Sequence, residues 1–142
     1  MMDNILFCSC GRRVKLLNDF RQSMKGRGNI VATDLSPVAP ALAVADKPYL
    51  VPRIDAPGYF DKILEICQKE DIKAITTLID PEISILANHR EELLARHILP
   101  LCPAEWTAKL CFDKYEMFKY LSEKGVRTVL TYNSLEGLKD GL

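Results

Sequence analysis

Neither sign of charge prevails in this sequence. Nineteen Lys and Arg stand against nineteen Asp and Glu, a formal net of zero, which removes the whole-surface field that draws nucleic acid or an anionic bilayer. No apolar run is long enough to cross a membrane. Asp3 precedes the first short apolar run, and Arg12, Arg13 and Lys15 follow it, the reverse of a secretory signal. The five cysteines are odd in number and lie scattered, so no disulfide framework is expected and the thiols read as reduced, in a cytoplasmic protein. Glycine is scarce where a dinucleotide fold needs it: Gly11 stands alone where the fingerprint asks for three. That disfavours a nicotinamide-dependent oxidoreductase. The G-x-S-x-G, H-E-x-x-H and Walker patterns are also missing. Partners must therefore be argued from local sites, with neither nucleic acid nor membrane among them.

What the sequence does hold is an alternation of two kinds of apolar segment. Residues 5–10 are a compact apolar run closed by Gly11, after which Val14, Leu17, Phe20 and Met24 recur at helical spacing until Gly26 and Gly28. Residues 30–33 read as a second strand ending on Asp34, and Ser36, Pro37 and Pro40 keep the next segment out of regular helix. Residues 49–51, between Pro48 and Pro52, fit only a short edge strand. Phe60, Ile63, Leu64 and Cys67 form a helical stripe, and residues 74–79 a buried strand. Asp80 and Pro81 read as N-cap and first-turn proline of one helix that turns Ile83, Leu86, Ala87, Leu93 and Leu94 inward. A short strand over 98–101 ends before Pro103.

This alternation predicts an α/β architecture over 1–103, a Rossmann-like open parallel sheet with helices on both faces. From Ala104 to Leu142 the pattern turns helical: 106–111, then 113–124 with Gly125 as its C′ residue, a strand over 126–131, and a last helix capped by Ser134 with Glu136 in its first turn. Nothing follows for that helix to pack against. The chain is therefore expected to be truncated or to lack a partner, and a homodimer through residues after Ala104 is the expected way to cover its apolar surface.

In an open parallel sheet ligands bind beyond the carboxyl ends of the strands. After the first strand, Ser9, Gly11, Arg12 and Arg13 offer a tight turn, free N–H groups and two guanidinium groups for a phosphate or carboxylate. Asp34 closes the second strand about 20 residues later, where dinucleotide-binding proteins keep a ribose-binding acid, although it could equally cap the next turn. Asp80 and Glu82 follow the fourth strand and could hold an amino group or a metal-bound phosphate, or serve only as cap and first-turn charge. Cys8 and Cys10 share one side of a strand by period-two geometry, but no further ligands stand at zinc spacing, so they read as core thiols and no metal site is expected. His89 and His97 read as surface residues.

The order of these motifs resembles one family, the small ATP-grasp proteins similar to the carbamoyl-phosphate synthase large subunit. The resemblance runs through GRRVKLL, ATDLSPVAPALAVADKPYLVP, TTLIDPE and LCFDKYEMFKYLSEKGVRTVLTY. It implies that 1–103 is a pre-ATP-grasp domain contributing to the site of a small carboxylate or amine substrate. Residues 104–142 would then be linker helices and the first strand of an incomplete ATP-grasp module. Lys114 matches the lysine that contacts the nucleotide phosphates in biotin carboxylase-like members. The phosphate loop and magnesium ligands of the family have no counterpart here. ATP and magnesium are thus expected in the complete protein but not tightly on this chain, which is expected to be inactive until the ATP-grasp lobes join it in cis or in trans. The rival reading is a non-catalytic Rossmann-like module for a small anion or nucleotide, or one half of a split protein.

Overall fold

The computed structural model describes residues 3–140. They divide into two compact units, Met1–Pro103 and Ala104–Leu142. In the first, β1 (Asn4–Cys8), β2 (Ile30–Asp34), β3 (Lys47–Leu50), β4 (Ile72–Thr77) and β5 (Leu99–Pro100) form one sheet in the order β3-β2-β1-β4-β5. Every pairing is parallel, with Leu6 in register with Val31 on one side and Ile75 on the other. The connections run through α1 (Val14–Met24), a 3-10 turn at Leu42–Val44, α2 (Tyr59–Lys69), α3 (Asp80–Asn88) and α4 (Arg90–Ala95). The α/β, Rossmann-like open sheet expected from the alternation is the fold observed.

Alternation along the strands sorts the core into two layers, as a doubly covered sheet requires. Phe7, Ile30 and Ala32 pack with Leu17 and Met24 of α1, while Leu6, Val31 and Ile75 pack with Ile63 of α2, Leu86 of α3 and Leu93 of α4. Cys8 and Cys10 fall in opposite layers rather than on one side. The reason is local: β1 ends at Cys8, and Ser9 takes a left-handed φ of 48°, so the period of two is lost between the thiols.

Three further expectations change. The helix after β4 is two helices, broken at His89, and Leu94 is partly exposed while Leu93 is fully buried. Asp80 is not the cap. Ile79 occupies that position, its N–H donating to Thr77 Oγ1 at 3.3 Å, and Asp80 is the first helical residue. His89 is not a bare surface group either, because its ring stacks on Phe60 at 3.7 Å. Both outer strands are short and contain a proline, Pro48 in β3 and Pro100 in β5.

The second unit holds α5 (Glu105–Phe112), α6 (Lys114–Glu123) and α7 (Leu135–Asp140). Asp113 caps α6 through hydrogen bonds from the Tyr115 and Glu116 amides at 2.9 and 3.0 Å. Gly125, at φ 71°, and Val126 close it with amide bonds to the Ser122 and Leu121 carbonyls, the paired arrangement of a left-handed helix end. Ser134 Oγ accepts the Gly137 amide at 3.0 Å. Residues 126–131, expected as a strand, form none. Their β-branched composition suits a strand, but no neighbouring strand pairs with them among the described residues, and Val129 and Leu130 stay exposed.

Candidate functional site

The carboxyl ends of β1 and β2 are tied together by one carboxylate. Asp34 Oδ2 accepts the Gly11 N–H at 2.7 Å and its Oδ1 accepts the Ser36 N–H at 2.9 Å. The Cys10 amide donates to the Thr33 carbonyl at 3.0 Å, and the Ala41 amide to the Gly11 carbonyl at 3.0 Å. Between them the chain turns through left-handed Ser9 and Gly11, the latter at φ 51°. Glycine accepts this conformation freely, whereas Ser9 is held there at a cost, a feature that concentrates at binding sites.

Arg13 is positioned as closely. Its Nη2 donates to the Leu78 carbonyl at 3.1 Å, and its Nη1 lies 3.5 Å from where a Cβ on Gly11 would stand. The guanidinium thus packs at ordinary contact distance beside Gly11. Ser9, Gly11, Arg13 and Asp34 all line one cleft of about 330 Å³, with Arg53 and Tyr59. Leu35, Val51, Ile54 and Ile79 supply its apolar wall. Arg53 is engaged by Asp55 through two parallel bonds of 3.0 and 3.1 Å, and among the described residues no carboxylate pairs with Arg13.

Behind Tyr59 lies Glu82, expected at the rim but fully buried. The Tyr59 and Thr77 hydroxyls both donate to its carboxylate. Burial, then the neighbouring Cys8 and Glu82, push the Tyr59 hydroxyl far above the ordinary phenol value, so it stays a donor. Glu82 touches the cleft only through this partner. Of the other expected site residues, Arg12 and Asp80 are exposed and do not line the cleft. Lys114 belongs to the second unit, where its Nζ donates to the Cys111 carbonyl.

Arg53 and Tyr59 were not legible as site residues. Arg53 lies three residues past the end of β3, and Tyr59 precedes by one residue the stripe counted from Phe60.

All five cysteines are free thiols. Burial, then the Asp34 charge, pushes Cys10 up to about 11; burial pushes Cys67 up to about 12 and Cys8 well above its ordinary value. An unfolded chain loses these protons first as pH rises past 9.0, so stability that is complete below that value declines above it. The urea midpoint is expected to be lower at about pH 10.5 than at about pH 8. An unchanged midpoint would show that the thiols ionise alike in both states.

Many solved structures share this fold. The biotin carboxylase subunit of pyruvate carboxylase aligns with 99% of this chain and 32% of its own, at 17% identity and a TM-score of 0.65. The biotin carboxylase domain of a single-chain bacterial carboxylase aligns with 95% of this chain and 32% of its own, at 16% identity and a TM-score of 0.63. N5-carboxyaminoimidazole synthetase from Staphylococcus aureus, complexed with ADP, aligns with 92% and 32%, at 17% identity and a TM-score of 0.63. The chain spans 32% of the length of each. No curated protein sequence matches it. Residues 5–101, well over half of the chain, match the family described as PylC-like, N-terminal domain, and to that family this protein belongs.

Proposed function

We propose that the chain is the substrate-side, N-terminal part of an ATP-dependent carboxylate–amine ligase similar to the carbamoyl-phosphate synthase large subunit, inactive by itself in the cytoplasm. The observation that carries this reading is the cleft at the strand ends. Within a PylC-like N-terminal fold, it gathers Ser9, Gly11, Arg13 and Asp34 around one polar floor and one apolar wall. Such a cleft can bind and orient a small acceptor, which converts a bimolecular encounter into a positioned one.

On this reading the magnesium nucleotide is held elsewhere. Among the described residues no group of three His, Cys, Asp or Glu could hold a metal ion. Lys114 is the single residue that the ATP-grasp resemblance assigns to the nucleotide phosphates. The ATP-binding lobes of the proposed enzyme are thus supplied by other residues, in the same polypeptide or a partner, and no phosphoryl-transfer step is placed on this chain. Calorimetry of the 142-residue protein with ATP and magnesium is expected to give no heat at micromolar nucleotide. A micromolar dissociation constant would overturn the division of labour, because it would put the nucleotide on the domain assigned to the acceptor.

A further inference from the structure

The turn leading into α1 suggested a cradle for phosphate, but the structure engages its amides from within, the Cys10 amide donating to Thr33 and the Arg13 amide to Cys10. The Gly11 amide already donates to Asp34 at 2.7 Å. A phosphate seated there would have to displace a charge-assisted bond and then sit beside the displaced carboxylate, which repels it. Nucleotides meet the same obstacle at their phosphates, and a ribose on Asp34 would have to share each oxygen with a backbone amide.

What remains open to a ligand is specific. Arg13 carries the cleft's guanidinium without a carboxylate partner among the described residues, and the Leu78 carbonyl holds it in place while leaving other N–H groups to donate. The same cleft is also lined by aliphatic side chains, among which Leu35 is left 55% exposed. Arg53 adds little, being neutralised by Asp55. The pairing of one fixed guanidinium with a hydrocarbon wall suits a planar monoanion on an apolar body.

We infer that the cleft takes a small aliphatic carboxylate, its charge on Arg13 and its hydrocarbon against Leu35, Ile54 and Ile79, and that it prefers such an acid to phosphate and nucleotides, which bring no hydrocarbon to that wall. This rests on the substrate-side reading of the same cleft and names the class of substrate it holds. Arg12, outside the cleft, takes no part.

Amide NMR titration of the 142-residue chain with hexanoate tests it. Saturable shifts are expected at Gly11, Leu35, Ile54 and Ile79, with inorganic phosphate and AMP moving them only at higher concentration. Arg13→Ala should weaken hexanoate about tenfold or more, as loss of a charged hydrogen bond does, and Arg12→Ala should leave it unchanged. Arg13→Lys keeps a cation at the turn and should retain more of the affinity, so a recovery in that variant separates loss of charge from a disturbed turn. Phosphate or AMP shifting these amides at lower concentration than hexanoate overturns the inference, as does full affinity in both Arg13 variants. Hexylammonium binding in place of hexanoate sinks the carboxylate while leaving the substrate-side reading standing. If none of these compounds moves the cleft amides, both readings fall together.

Discussion

Glu82→Ala is expected to cost the first unit about 3 kcal/mol of stability, the largest loss from any single polar substitution in this chain. The side chain is fully buried and accepts from both Tyr59 and Thr77. Alanine would leave a void and strand two hydroxyls that were chosen by the fold to donate. Each unsatisfied buried hydroxyl costs about 1–3 kcal/mol, and the void adds to it. Urea unfolding followed by far-UV circular dichroism is the measurement, because the single tryptophan, Trp106, reports on the second unit. Glu82→Gln keeps one acceptor and should lose about half as much. A loss below about 0.5 kcal/mol in the alanine variant would mean that the carboxylate does not organise this region.

Asp34→Ala is expected to lose about 2 kcal/mol, since the bonds from the Gly11 and Ser36 amides are both charge-assisted. It should also do something that most destabilising changes do not, namely create a new affinity. With the carboxylate gone, the Gly11 amide becomes available to inorganic phosphate, which the unaltered chain cannot seat there. Asp34→Asn retains an acceptor and should show smaller effects of both kinds. If Asp34→Ala loses stability without gaining phosphate, the turn itself, rather than the internal carboxylate, closes the cradle.

These two residues also mark where reading the sequence succeeds and fails. The sheet was legible because buried parallel strands are continuous apolar runs, and residues 5–10, 30–33 and 74–79 have no other means of satisfying that composition. The cleft was legible by position: Ser9, Gly11 and Arg13 follow β1, and Asp34 is the last residue of β2. What each side chain would bond to was not. Asp34 carries the same letter whether it faces a ribose or the Gly11 amide, and a helix first turn does not reveal that Glu82 points at Tyr59, distant in sequence. Likewise period two assumed that β1 continued through Cys10, and only the backbone shows Ser9 breaking it.

The prolines in the two outermost strands carry a consequence for how this molecule behaves in company. An uncovered sheet margin is a template on which a foreign strand can lay itself, and the growth of fibrils begins that way. Here one margin is four residues with Pro48 inside and the other two residues with Pro100 at its end. Neither offers an unbroken row of donors long enough to copy. The sheet therefore terminates itself on both sides, and crowding many copies of this domain together gives them no seam along which to polymerise.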